Sequence, residues 1–431
     1  MMKAIRIAFA VVATASAPIA VHAQSADLNS IDGPGLFARD HNVSVRERAR
    51  PEYQAAGVKL GGFLAFPKVE GDVEYNDNIF ATATGKTSDT IFHVRPEYVF
   101  QSNWNQSMVD AYARANLARN ASHSSEDTTD YSFGADGRLD IVRGSDLKAG
   151  GEFQHLTEPR TSSGSPGGAL SPVQYLQSSA YASGEHVINR IKLSMKGDWT
   201  DLNYLSAPAA GGGLINENDR DRHIYTMNGR VDYALSPDTA LFVEADGNWR
   251  DYRLPGTIGA PARDSKGYQL LAGANFDISA LIRGEIGVGY LHQSFTDFAA
   301  YPTIGGFGLR GKVEWFPSEL TTVTVSGARS VEDAAIAGSG GYLSTNLGAQ
   351  IDHELLRNVI VSANASYGND AYKGIDRTDK RYNAGVNATY LINSKVGLNA
   401  GYIYFKQNSS GALAGTDFVV NRLMVGLVLQ Y

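Results

Sequence analysis

The sequence predicts an all-β fold: a transmembrane, antiparallel, up-and-down β-barrel of about eighteen strands, with sixteen as the alternative. Three observations predict it. Apolar and polar residues alternate with period two from about Lys68 to the last residue. Aromatic residues gather at the ends of the alternating stretches, and short and long connections alternate between them. Successive side chains on a strand point to opposite faces, so each stretch makes a strand with one apolar and one polar face.

The first element in chain order is an address. Met1–Ala23 carries Lys3 and Arg6, then the largely apolar Ile7–Ala20, then small residues at Val21 and Ala23. This is the form of a secretory signal peptide cleaved before Gln24, and the apolar run is short for a membrane span. Residues 24–61 hold Gly33-Pro34-Gly35 and few apolar side chains. They read as a solvated periplasmic segment, too short for a folded plug, whose Arg46, Arg48 and Arg50 are placed to meet a partner or anionic lipid.

Residues 62–431 read as the barrel. Strands are expected near 68–78, 89–101, 107–119, 129–142, 146–157, 173–186, 190–201, 222–234, 239–250, 265–277, 283–294, 306–316, 321–330, 343–353, 358–368, 380–390, 395–406 and 417–431. In one, Leu241, Val243, Ala245 and Trp249 interleave with Glu244, Asp246, Asn248 and Arg250. Short turns such as Arg143–Ser145, Ser236–Asp238 and Asn393-Ser394 alternate with longer loops such as Glu158–Pro172, Leu202–Asp221 and Asp251–Asp264. Short periplasmic turns and long external loops belong to an outer-membrane barrel. An even strand count returns both ends to the periplasm. The loops Glu158–Pro172 and Leu202–Asp221 are expected to fold over or into the mouth as a constriction.

The aromatic residues form two sets on the apolar face. Tyr75, Tyr131, Trp199, Tyr225, Trp249, Tyr268, Phe307, Tyr367 and Tyr382 fall at the long-loop end. Tyr98, Phe100, Tyr233, Phe276, Trp315 and Tyr390 fall at the short-turn end. Two such girdles mark the two membrane interfaces. At the end of the chain, Leu423, Val425, Leu427, Leu429 and Tyr431 share one face. With Gly426 they resemble the C-terminal assembly signal of outer-membrane proteins, which makes Gly426, Leu429 and Tyr431 candidate assembly residues.

On the polar face, Arg95, Glu97, Arg114, Arg138, Lys192, Lys196, Arg230, Glu244, Asp246, Arg250, Arg310, Lys312 and Glu314 are the candidate lumen lining. Both signs are present in near balance, as needed for a hydrated path for a polar solute whose wall is stiffened by salt bridges. A barrel of this size leaves an aqueous channel unless a loop fills it. In this register Val243 faces lipid and Glu244 the lumen, so arginine is expected to be harmful at 243 and mild at 244.

Other chemistries find little support. The chain has no cysteine, which removes disulfides, Cys-ligated zinc and a cysteine nucleophile. A net charge of −7 argues against nucleic acid as a partner. Gly306-x-Gly308-x-x-Gly311 matches a dinucleotide fingerprint but lies within an alternating strand. His353-Glu354-Leu355-Leu356-Arg357 begins like a zinc-protease motif and lacks the second histidine. The acidic loop Asn216–Asp221 offers oxygen ligands without EF-hand order. No enzyme activity, cofactor or metal is expected.

The segments RARPEYQAAGVKLGGFLAFP (Arg48–Pro67), VEYNDNIF (Val73–Phe80), SDTIFHVRPEYVFQSNW (Ser88–Trp104) and FGADGRLDIVRG (Phe133–Gly144) resemble the putative β-barrel porin 2 family. This resemblance implies a secreted barrel in the outer membrane of a Gram-negative bacterium, some members being linked to exopolysaccharide loci. It implies passive export of a polysaccharide, with a general porin for small polar solutes and a closed structural or adhesive barrel as alternatives. The partners it implies are outer-membrane lipid and lipopolysaccharide, the barrel assembly machinery, and a polysaccharide or periplasmic export partner. The matching motifs are structural and assign no functional residue.

Overall fold

The computed structural model describes residues 43–254, 261–278 and 281–431. The expected signal peptide 1–23 and residues 24–42 lie outside them. The wall consists of β1 (Phe63–Asn76), β2 (Asp89–Ser102), β3 (Met108–Asn120), β4 (Thr128–Val142), β5 (Ser145–Thr157), β6 (Gln174–Ile188), β7 (Ile191–Tyr204), β8 (Arg222–Ser236) and β9 (Thr239–Tyr252). It continues through β10 (Ser265–Ile278), β11 (Ile282–Phe295), β12 (Ile304–Ser318), β13 (Thr321–Asp333), β14 (Gly341–Leu356), β15 (Val359–Lys373), β16 (Thr378–Leu391), β17 (Val396–Ser410) and β18 (Phe418–Gln430). Each strand pairs antiparallel with the next. β1 pairs with β18 from Lys68↔Gln430 to Asn76↔Arg422, which closes the circle. Closure leaves no lipid-facing sheet edge along that seam, as an apolar surround demands. Among the described residues no helix is long and apolar enough to cross a membrane.

The alternation sorts the two faces as its period requires. Val69, Val73 and Tyr75 of β1 are exposed, while Glu70, Asp72, Glu74 and Asn76 are buried. Exposed apolar side chains beside buried charged ones invert the pattern of a water-soluble protein, and only lipid outside reconciles them. The girdle at the long-loop end is a registered band: Tyr225 stands opposite both Trp199 and Trp249. At the closing seam Gly426 faces Asp72, and a Cβ there would lie 2.8 Å from that aspartate's Cβ. Leu429 and Tyr431 are exposed on the lipid side. The Tyr431 amide donates to the carbonyl of Pro67, and Lys395 lies over the Tyr431 ring.

Several strands run past their expected ends, β15 to Lys373 and β17 to Ser410 among them, and two departures have a structural reason. β1 begins at Phe63 rather than near Lys68, because Val58–Leu60 folds back on it with Leu60 opposite Phe63. Apolar residues at all of Phe63–Phe66 conceal the alternation there. β13 runs on to Asp333, and its last part leaves the wall. β12 and β13 pair only as far as Arg310↔Ala328. Beyond that point Ile304–Leu309 stay with β11 and Arg329–Asp333 stay with β14. The outer end of the β13–β14 hairpin passes inside β11 and β12. Leu343 there packs with Leu291, Phe295, Tyr301 and Ile304, with Val331 against the cluster.

Candidate functional site

The polar lumen has three levels: a mouth closed in by loops, a middle with two unlike walls, and a short-turn end crossed by the N-terminal segment.

At the mouth, the connections grip one another through buried ion pairs. Glu158, after β5, receives both terminal nitrogens of Arg220, from the loop before β8, at 2.9 Å each. Arg220 also pairs with Glu217 at 2.9 Å, and its guanidinium lies 3.9 Å over the Tyr204 ring. Burial opposes the Arg220 charge, but Tyr204, Glu158 and Glu217 outweigh it and hold the group firmly protonated. Burial pushes the Glu217 carboxyl up despite Arg220. The loop 158–173 thus turns in over the mouth, with Glu158, Thr161 and Ser162 buried. The neighbouring loop divides. Its Arg220 end is locked in, whereas its tip stands out in a small hairpin of Ala207–Pro208 and Leu214–Ile215, with Leu214 70 % exposed. Of the acids in Asn216–Asp221, Glu217 pairs with Arg220, Asp219 pairs with Arg263 at 2.8 Å, and Asp221 accepts from the Tyr204 amide. Among the described residues no group of three or more His, Asp or Glu is arranged to hold a metal.

Below the mouth, the inward hairpin end meets the far wall. Asp333 takes Arg222 at 2.8 Å and Arg250 at 2.6 Å, and Arg263 donates to the carbonyl of Ala334 at 3.0 Å. The wall from β8 to β12 is then knitted through its lumen side chains. Arg230 pairs with Asp232 and Glu285 at 2.7 Å and with Glu244 at 3.3 Å, over the Phe242 ring at 3.9 Å. Arg310 completes the set on Glu244, and Asn228 donates to Glu244 at 2.8 Å and Asp246 at 2.6 Å. The side chains of Arg230 and Glu244 have 0 % exposure. Arginine at Glu244 would place a third guanidinium in this closed site, so a severe effect replaces the mild one expected from alternation alone. Position 244 faces inward as expected, but other protein groups fill the space around it instead of water.

The wall from β3 to β7 is different. Arg114 and Lys196 are 50 % and 49 % exposed. Their partners stand on the same or a neighbouring strand: Lys196 with Asp198 at 2.7 Å, Arg138 with Asp140 at 2.9 Å, Lys192 with Glu185 at 2.9 Å. Elsewhere, Arg95 pairs with Asp72, Glu97 with Lys68 at 2.8 Å, and Lys312 with Glu314 at 3.5 Å. Every candidate lumen residue stands on the face opposite the exposed apolar side chains. The structure gathers only part of them, Arg230, Glu244, Asp246 and Arg310, into one cluster.

At the short-turn end, the segment from Val43 is no solvated tail. Val45 and Arg50 are buried. Arg46 binds Asp352 at 2.8 Å, and Arg50 and Arg48 bind Glu354 at 2.6 and 3.3 Å. Arg48 also donates to the carbonyl of Glu319. Glu47 pairs with Arg283 at 2.6 Å and Glu52 with Arg357 at 3.0 Å, while the carbonyl of Tyr53 accepts from Gln430. The segment therefore crosses from the β11–β15 side of the rim to β18. It is held because three arginines, spaced two apart, meet two inward carboxylates spaced two apart. Burial works against the Glu47 charge, yet Arg283 outweighs it and holds that carboxyl below its usual range. Sequence reasoning missed Asp352 and Glu354 as functional partners, although they continue the inward set of β14.

A closed ring of antiparallel strands, lipid outside and charge inside, is the frame of a porin. The family model described as "Putative beta-barrel porin 2" matches residues 50–431. The chain belongs to that family. No curated protein matches it. This porin 2 chain is also similar to OpdL of Pseudomonas aeruginosa, at 12 % identity over 86 % of this chain and 99 % of that one, TM-score 0.44. OccAB3 of Acinetobacter baumannii gives 11 % identity over 86 % and 100 %, TM-score 0.46. The ferric enterobactin receptor PfeA of P. aeruginosa gives 7 % over 84 % and 80 %, TM-score 0.46. By the family match the barrel is porin-like, and Gly306–Gly311 lies within β12 beside the β12–β13 split, the wall strand that the alternation predicted.

Proposed function

We propose that this barrel is a passive conduit in the outer membrane of a Gram-negative bacterium and that its cargo is a polysaccharide. The observation that carries the conduit is the β3–β7 wall, where Arg114 and Lys196 remain half exposed inside a closed ring. The cargo rests on the family's link to exopolysaccharide loci. In this reading Met1–Ala23 is removed before Gln24, and the barrel assembly machinery takes up the β18 end through Gly426, Leu429 and Tyr431. The finished barrel sits in outer-membrane lipid and lipopolysaccharide. A periplasmic export partner delivers polymer at the strapped end and displaces Arg46–Tyr53 from the rim.

Purified protein in planar bilayers tests this. A conduit gives discrete single-channel currents, and deleting residues 43–53 raises them. A general porin for small polar solutes conducts equally with or without the strap. No current from either form identifies a closed structural barrel, a reading favoured by the inward β13–β14 hairpin and the strap together.

A further inference from the structure

We propose that the β3–β6 part of the lumen is a saccharide-binding strip, built on Tyr112 and Tyr181 and selective for neutral over acidic sugars. This rests on the conduit reading and names where its cargo touches the wall. Tyr112 stands opposite Gly134, which stands opposite Glu152. On the adjoining rung Asp136 stands opposite Gly150, which stands opposite Tyr181.

Both tyrosines lie against their glycines. A Cβ at Gly134 would fall 2.9 Å from the Tyr112 ring, and one at Gly150 would fall 2.7 Å from that of Tyr181. Tyr112 leans from β3 over β4, and Tyr181 leans from β6 over β5. Two phenol rings from opposite sides thus converge on the central pair of strands. Tyrosine over glycine also supports a sheet mechanically, but support alone leaves the surrounding charges without a purpose.

Those charges suit a sugar. Glu152 stands across from the glycine that the Tyr112 hydroxyl reaches, and Asp136 lies against the same glycine that carries Tyr181. Arg114 lies 4.1 Å over Tyr112 and Lys196 lies 5.3 Å from the Tyr181 ring centre. A pyranose has an apolar C–H face that packs on an aromatic ring and hydroxyls at its edge that donate to carboxylates. Flat apolar surface with a few placed polar groups is what a small-molecule site offers. Arg114 and Lys196 are already paired with Glu97 and Asp198. Glu152, Asp136 and Asp110, which stands opposite Asp136, form no salt bridge among the described residues, so the net charge beside the rings repels a uronic acid.

Calorimetry on detergent-purified full-length protein tests the strip, with maltohexaose as the neutral probe and hexagalacturonate as the acidic one. Bilayer current is recorded in parallel. Maltohexaose should bind and interrupt the current, and hexagalacturonate should bind more weakly. Tyr112→Ala with Tyr181→Ala should weaken maltohexaose roughly tenfold, as expected for losing two ring contacts. Glu152→Gln with Asp136→Asn keeps both rings and should admit hexagalacturonate, which decides the matter if the alanine variant fails to assemble. Equal binding of the two probes, or binding unchanged in these variants, overturns the strip. Current without sugar binding removes the strip and leaves the conduit. Binding without current removes the conduit and leaves the strip.

Discussion

The wall from β3 to β7 and the wall from β8 to β12 are written in the same alternating code and end in opposite physical states. On the first, Arg114 and Lys196 remain half exposed and pair with neighbours. On the second, Arg230 and Glu244 are sealed, because partners arrive from Glu285 three strands away and from Arg310. The difference teaches that period-two alternation fixes which face a residue occupies and says nothing of what stands across the lumen. A charge in a closed site depends on every partner, while a hydrated one does not.

The largest expected effect breaks or upholds this contrast directly. Glu244→Ala leaves Arg230 and Arg310 without their shared carboxylate and should cost ~3–5 kcal/mol. Asp198→Ala, which strips Lys196 of its partner on the hydrated wall, should cost at most ~1 kcal/mol. Urea unfolding followed by the heat-dependent gel shift of barrels reads both, and equal costs would abolish the distinction.

The outer faces of the two walls should behave alike. Val243 and Met195 are both exposed to lipid, each four residues from the short-turn end of its strand. Arginine at either should cost ~2–4 kcal/mol in the same unfolding assay. A large inequality would show that the walls differ outside as well as inside.

The strap comes next. Arg50→Ala removes its deepest ion pair and should raise single-channel conductance while leaving the barrel assembled. Glu47 supplies a pH signature. Its carboxyl is held below the usual 4.5. Its contribution to docking is thus complete above that value and fades as the pH falls through the lowered one. Conductance should therefore rise at acid pH, and Glu47→Gln should show the raised level at neutral pH already. The smallest effect on stability belongs to Lys196→Glu, within ~1 kcal/mol, accompanied by a shift of reversal potential toward cations. No shift would mean that ions avoid this wall.

Much of the fold was legible because lipid imposes one rule on every strand. Alternation located all eighteen wall strands, and the loop lengths located the two ends. The exceptions arise where protein replaces lipid or water. Past Ala328 both faces of β13 lie inside the barrel, so Asp333 reaches Arg222 and Arg250 from the side that alternation assigns to lipid. Arg46, Arg48 and Arg50 stood out in the sequence, but their partners Asp352 and Glu354 lie some three hundred positions away. Tyr112 and Tyr181 were hidden because an inward tyrosine beside glycine has no local signature until the strands are paired.

The absence of cysteine from the natural chain permits the most direct test of the central claim, that solute travels along the β3–β7 wall past a packed β8–β12 wall. Single cysteines at Lys196 and at Asp232 are treated in planar bilayers with a membrane-impermeant, charged thiol reagent while current is recorded. The cysteine at 196 should react quickly and change the conductance, and the one at 232, buried against Arg230, should stay inert. Equal reaction at both positions, or no current from the unmodified protein, would contradict the account.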